Sequence, residues 1–192
     1  VIESCGSAHY WAETLAEMGH KVKLIVPQYV KPFVKRQKND AADAEAIVIA
    51  AQRPEMRFVE PKTKEQRAKA VIFRSRERLV AQRTELINAI RSTLYEYGFV
   101  IPQGITNLRI TEEILHAHNS DLPELVREEC RDLLLQIAEK SDRIAKKMQL
   151  IKQFAAQTNI ARQLQTIPGV GPMTALAVET FAPPMETFKN GR

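Results

Sequence analysis

Lys21-Val22-Lys23-Leu24-Ile25-Val26-Pro27 is the stretch on which the fold turns. Its first half alternates lysine with valine, its second half is continuously apolar, and a proline ends it. That is the pattern of a strand sliding into a buried sheet. Upstream, His9 to Met18 carries helical spacing through Tyr10, Trp11 and Leu15, and Gly19 stands where a helix C-cap belongs. Val1-Ile2, earlier still, reads as the end of another buried strand. Strand, helix and strand follow one another, so residues 1 to 52 read as α/β. Downstream, Asn39-Asp40 opens an alanine-rich helix that runs through Ile47, Val48 and Ala51 to about Gln52 and is stopped by Pro54.

The pattern then becomes all-helical. Residues 63 to 97 lack glycine and proline, and Ile72, Leu79, Leu86, Ile90 and Tyr97 recur at heptad-like intervals, which predicts a coiled-coil stripe. Gly98 to Asn107 breaks it, a short helix is expected over Thr111 to His118, and Leu122 to Ala155 resumes through Val126, Cys130, Leu133, Ile137, Ile144, Met148 and Ile151. Two long helices around one break predict an antiparallel hairpin. The tail Leu164-Gln165-Thr166-Ile167-Pro168-Gly169-Val170-Gly171-Pro172 introduces a last helix at about Met173 to Phe181, ended by Pro183-Pro184. The expected fold class is therefore α/β plus all-α, divided into 1–55, 56–160 and 161–192. The start at Val1 inside a strand, and the stop at Gly191-Arg192 soon after a structured segment, read as a fragment cut at both ends.

Composition narrows the function. At 44% hydrophobic and 27% charged, the chain has enough apolar matter for a core and is neither disordered nor fibrous. Lysine and arginine exceed aspartate and glutamate by 28 to 23, a formal charge of +5, which points toward a polyanionic partner. Cys5 and Cys130 lie far apart and outside any C-x-x-C pair, so neither a disulfide framework nor a zinc cluster is suggested and a reducing cytosol fits. No apolar run approaches the length of a membrane helix, and no signal peptide opens the chain, so a soluble protein is expected.

Three acids carry the sharpest chemistry. Asp40 and Asp43 are three apart on a helix and share a face, so both carboxylates can serve one hard cation. Glu3 ends a buried strand just before Gly6 and a helix, at the carboxyl edge where α/β active sites gather. The same residues also suit plainer roles: Asp40 as an N-cap, Asp43 as a first-turn acid complementing the helix dipole, Glu3 as a solvated loop residue. Between His20 and Asn39 stand Lys21, Lys23, Lys31, Lys35, Arg36 and Lys38 with no acid, interleaved with Tyr29 and Phe33 and leading straight into the Asp40/Asp43 helix. Such charge beside carboxylates suits phosphodiester chemistry, although basic runs are often only solvated faces.

Arg74, Arg76, Arg78 and Arg83 on the first long helix offer a basic ridge to a nucleic acid, or decorate an ordinary coiled coil together with Glu77 and Glu85. Gly169 and Gly171 before a helix match a helix-hairpin-helix turn, in which backbone N–H groups approach a DNA phosphate; a plain connection inside a core uses the same glycines. His116-Ala117-His118 is too short for a metal motif, and no Ser-His-Asp set, phosphate-loop lysine or dinucleotide fingerprint occurs.

Glu3-Ser4-Cys5-Gly6-Ser7-Ala8-His9-Tyr10-Trp11, Val26-Pro27-Gln28-Tyr29-Val30-Lys31-Pro32-Phe33 and Lys38-Asn39-Asp40-Ala41-Ala42-Asp43-Ala44, in this order and spacing, resemble the DEDD-type insertion-sequence transposases related to Piv DNA invertases, the IS110 group. Ile167-Pro168-Gly169-Val170-Gly171-Pro172-Met173-Thr174-Ala175 is similar to the start of that family's C-terminal transposase domain. The resemblance implies that 1–55 is the C-terminal part of a RuvC-like (RNase H-like) catalytic domain, 56–160 its coiled-coil hairpin and 161–192 the start of the transposase domain. It makes Glu3, Asp40 and Asp43 three of four carboxylates around two Mg2+ ions, with the first aspartate and a C-terminal serine outside this chain. The reaction implied is metal-dependent DNA strand cleavage and rejoining, guided by an element-encoded RNA, by a homo-oligomer in the bacterial cytoplasm near the nucleoid. The fragment alone is expected to be inactive. Two other readings stand beside it: a non-catalytic nucleic-acid-binding or assembly module whose hairpin dimerises, and a RuvC-like junction nuclease.

Overall fold

The computed structural model describes residues 1–35, 39–117 and 121–183. They form two compact units: Val1–Ala68 with the stretch from Thr180 onward, and Lys69–Glu179. The architecture is mostly helical with one small mixed sheet, compatible with α/β plus all-α.

The first unit is built on the apolar run of residues 21–26. Its centre, β2 (Leu24–Ile25), pairs in parallel with β1 (Ile2–Glu3), Ile2 opposite Leu24 and Glu3 opposite Ile25. On its other side β2 pairs antiparallel with β3 (Phe58–Val59). Successive strand side chains point to opposite faces, so a strand buried on both sides needs two consecutive apolar residues, as here. Leu24 packs with Ala8 and Ala12 of α1 (Ala8–Glu17), and Ile25 packs with Ala46 and Ala50 of the alanine-rich helix α3 (Asp40–Ala51). In each helix the buried alanines lie four apart, which makes a smooth strip on which the helix can approach the sheet. The strand is shorter than the sequence pattern, and β3 has no signature in the sequence because a two-residue strand shows no alternation.

Helix ends follow their local chemistry. Gly19, at φ 89°, closes α1 in a Schellman turn: its N–H donates to the Ala16 carbonyl and that of His20 donates to Leu15. Between β2 and α3 the chain forms a short helix α2 (Pro27–Val30), with proline at its first turn, and a 3-10 turn at Lys31–Phe33. The α3 cap is Asn39, whose Oδ1 accepts the Ala42 N–H at 2.8 Å, so Asp40 is the first helical residue and not the N-cap. Glu13 of α1 meets Lys64 at 3.1 Å and also pairs with Arg67. The hydrogen bond from Lys64, with Arg67 adding to it, holds the Glu13 carboxyl below the usual glutamate range. This tie is therefore present at neutral pH and lost as pH falls through the lowered pKa.

The second unit contains two long helices, α4 (Lys64–Glu96, from Lys69 onward) and α6 (Glu124–Gln157). Phe73 clusters with Ile151 and Ala155, Arg83 reaches Ser141, and Ile90 and Leu94 cluster with Cys130 and Ile137. Numbers rise along one helix as they fall along the other, so the pair is antiparallel. Tyr97, expected on the apolar stripe, is exposed because α4 stops at Glu96 and Gly98 turns the chain in a second Schellman cap. α5 (Leu108–His116) starts earlier than the sequence pattern suggests, and His118 lies outside the described residues. α7 (Asn159–Leu164) and α8 (Pro172–Phe181, as far as Glu179) complete the unit; Pro183 follows α8, and Pro184 lies outside the described residues.

Arg127, 8% exposed, donates to the carbonyls of Leu115 (2.8 Å), Ala117 (3.2 Å) and Leu122 (3.2 Å). It thereby satisfies the Leu115 and Ala117 carbonyls at the end of α5, which have no intrahelical donors, and ties them to the Leu122 carbonyl just before α6. Arg127→Met keeps the bulk and removes the donors, so it should destabilise the protein by about 3 kcal/mol, read as a lower urea midpoint at unchanged m-value.

Candidate active site

Because β1 and β2 are parallel, both strands deliver their carboxyl ends to one edge of the sheet. Glu3 is the last residue of β1 and is half-buried, and the ladder continues one step beyond it as the Ser4 N–H donates to Ile25 at 2.8 Å. At the same edge β2 runs into α2, and the segment after it leads to the first turn of α3. The result is a hollow of about 660 Å³ lined by Glu3, Gln28, Lys31, Asp43 and the apolar Pro27, Val30 and Val34. Residues forty positions apart, Glu3 and Asp43, thus share one concavity with one lysine and one primary amide.

Asp40 is exposed in the first turn of α3, three residues before Asp43, and does not line the hollow. Among the described residues no group of three or more His, Cys, Asp or Glu is arranged to hold a metal ion. Two of the three expected acids are therefore brought together, and the third stands beside them on the same helix. Gln28 was not singled out from the sequence; its signal was its place in the Val26-Pro27-Gln28-Tyr29 segment.

The basic residues differ in availability. Lys31 lines the hollow and is exposed. Lys35 donates to both carboxylate oxygens of Glu45 at 2.7 and 2.8 Å, so part of its charge is already matched. Arg36 and Lys38 lie outside the described residues. Phe33 is half-buried with the Arg53 guanidinium 5.4 Å over its ring, whereas Tyr29 is exposed. In the second unit Arg74 and Arg78 are exposed, Arg76 is half-buried with Nε unpartnered, and Arg83 donates to Ser141 Oγ at 3.4 Å. Gly169 sits at φ 85°, a conformation that favours glycine, and a Cβ at Gly169 or Gly171 would meet nothing within 4 Å. That turn is open to approach.

Near the site Cys5 is exposed, and the hydrogen bond from the Ser7 hydroxyl lowers its thiol pKa. No helix among the described residues is long and apolar enough to cross a membrane.

A parallel sheet edge thus gathers two carboxylates and a lysine in one hollow, an arrangement of the α/β class, and the comparisons with known proteins give the chain a family. The model of the family of DEDD transposases of the IS110 type, described as "Transposase", matches residues 1–99. The chain belongs to this family. It is 41% identical over 198 residues to the y4pF/y4sB protein of Sinorhizobium fredii, covering 100% of this chain and 49% of that one. It is 38% identical to the transposase for insertion sequence element IS1111A of Coxiella burnetii (100% of this chain, 53% of the other), and 38% identical to that for IS1328 of Yersinia enterocolitica (93% and 53%). The chain thus spans about half the length of the curated relatives it matches. No solved structure matches it.

Proposed function

We propose that this chain is part of an insertion-sequence transposase in which the Glu3–Asp43 hollow belongs to a RuvC-like, metal-dependent DNA cleavage and joining site. The observation that carries this reading is the sharing of one hollow at a parallel sheet edge by Glu3, Asp43 and Lys31 in a chain of the transposase family. The hollow offers hard oxygen donors, two carboxylates and the Gln28 amide, and this donor set fits Mg2+. Glu3 and Asp43, with Asp40 one turn away, would hold the metal. When bound, it supplies charge stabilisation to the attacking and leaving oxygens of an in-line displacement.

The chain's own residues do the remaining work. The β1–β2 ladder carries the backbone of Glu3 and a capped helix that of Asp43, so both acids start from regular elements at the rim of one hollow. Lys31, which lines the same hollow, supplies a cation for a DNA phosphate, and Pro27, Val30 and Val34 give the hollow an apolar wall. In this reading 1–55 is the C-terminal part of the catalytic domain, 56–160 a coiled-coil hairpin and 161–192 the start of a transposase domain. DNA is the substrate, an element-encoded RNA supplies sequence choice by base pairing, and the active species is a homo-oligomer. Gly169 and Gly171 leave the turn before α8 open to a DNA phosphate.

Binding provides a direct test on the present chain. Lys31→Ala, and separately Arg36→Ala with Lys38→Ala, should weaken DNA or RNA binding and lower the slope of log affinity against log salt, by up to about one for each phosphate no longer neutralised. Lys35→Ala should do less, because Glu45 already engages that ammonium group. Fluorescence anisotropy over a salt series reads both quantities, and slopes unchanged in all variants would make the basic run a solvated face only.

A further inference from the structure

After the Gly98 cap the chain folds back along α4, and the Arg91 Nε donates to the Ile101 carbonyl at 3.0 Å to hold it there. Two adjoining hollows of about 430 and 350 Å³ open between this returning segment and the helix, sharing Asn88 and Arg91. The first is lined on its polar side by Arg83, Thr84, Asn88, Arg91 and Gln103. The second contains Ser92 and Tyr95 beside Val100. Spacings of four and eight place Arg83 and Arg91, and likewise Thr84 and Asn88, along one helix stripe. The core residues Leu86, Ile90 and Leu94 occupy another.

No carboxylate lines either hollow, and among the described residues neither Arg83 nor Arg91 forms an ion pair. Arg91 is half-buried, with Nε used on Ile101 and Nη1 reaching Asn88 at 3.4 Å. Its guanidinium is thus oriented in advance, and the edge bearing Nη2 remains for an acceptor. Two such cations with hydroxyl and amide donors and no acid describe an anion site of phosphate type. The neighbouring Tyr95 is 66% exposed and Val100 is 73% exposed, which extends the hollow onto a face where a base can stack.

We propose that the trough formed by Arg83, Thr84, Asn88, Arg91 and Gln103 binds the phosphodiester backbone of a nucleic-acid strand, with a base stacked on Tyr95. It rests on the nucleic-acid reading above and adds a binding surface separate from the Glu3–Asp43 hollow. DNA and RNA offer the same phosphate chemistry, so the test carries both.

The chain is titrated with labelled single-stranded DNA, the RNA of the same sequence and duplex DNA. Asn88→Asp puts a negative charge in the trough without removing the Arg91 anchor, and should weaken binding of at least one nucleic acid by about tenfold. Arg83→Gln should weaken it and reduce the salt slope by about one. Tyr95→Ala should lower single-strand affinity by about tenfold and leave duplex affinity unchanged. Thermal unfolding checks that each variant keeps the wild-type fold. Weakening confined to RNA or to DNA supports the site and assigns its ligand. Wild-type affinity in folded Asn88→Asp and Arg83→Gln overturns this inference alone, while a wild-type chain that binds no nucleic acid overturns it together with the reading on which it rests.

Discussion

In a family-length protein carrying this chain, Asp43→Asn is expected to lower Mg2+-dependent strand cleavage by about a thousandfold or more while leaving nucleic-acid binding within about twofold. The substitution keeps the side chain's volume and removes its charge. A metal site stabilises the transition state by several kcal/mol, and each 1.36 kcal/mol lost is a factor of ten in rate. Glu3→Gln should behave alike, because Glu3 lines the same hollow. A supercoiled-plasmid nicking assay, with anisotropy on the same preparations, separates chemistry from binding. Wild-type cleavage by folded Asp43→Asn would make Asp43 a helix-start residue and favour the binding or assembly module. Asp40→Asn supplies a graded comparison: Asp40 lies outside the hollow, and a loss as deep as that of Asp43→Asn means that substrate or metal draws the first turn of α3 inward.

The elements that were legible in the sequence are those with many residues to repeat a pattern. α4 and α6 announce themselves by apolar positions recurring through several heptads, and Leu24-Ile25 by being apolar twice in succession where both faces are covered. Of the candidate site, the sequence offers residue types, an acid at a strand end and two acids at a helix start, of which Glu3 and Asp43 share the hollow and Asp40 does not. Their meeting depends on the parallel pairing of β1 with β2 and on the turn at Pro27–Phe33, both of them long-range or irregular features. The same limit hid β3, whose two residues are held by a partner more than thirty positions away. It also hid the engagement of Lys35 by Glu45, since a basic run in sequence does not show which members face an acid. Asn39 could have been read as the cap of α3 from its type alone; the adjacent Asp40 competes for that role, and the backbone decides between them.

Lys69→Met should destabilise the protein by about 3 to 5 kcal/mol, the usual cost of removing one member of a buried ion pair. Lys69 is 7% exposed, and its Nζ lies 2.8 Å from Glu179 Oε1, while Glu179 Oε2 accepts the Thr158 hydroxyl at 2.6 Å. The pair is 110 residues apart in sequence and adjoins the apolar cluster of Phe73, Ile151, Ala155, Ala161 and Leu176. Lys69 and Glu179 are also the first and last residues of the second unit, so the ion pair clasps that unit where the chain enters and leaves it. The clasp fixes the C-terminal end of α8, the helix that follows the Gly169–Gly171 turn, and so acts on the element that presents that turn. Removing the ammonium group leaves a largely desolvated carboxylate that keeps the Thr158 hydroxyl but loses its opposite charge. That penalty, more than the attraction removed, sets the size of the effect. The double variant Lys69→Met/Glu179→Leu removes both charges and should recover most of the stability. Denaturant unfolding of the wild type and the three variants closes the cycle, and a Lys69→Met protein within about 0.5 kcal/mol of wild type would mean that the carboxylate finds water and that the clasp contributes nothing to the unit's stability.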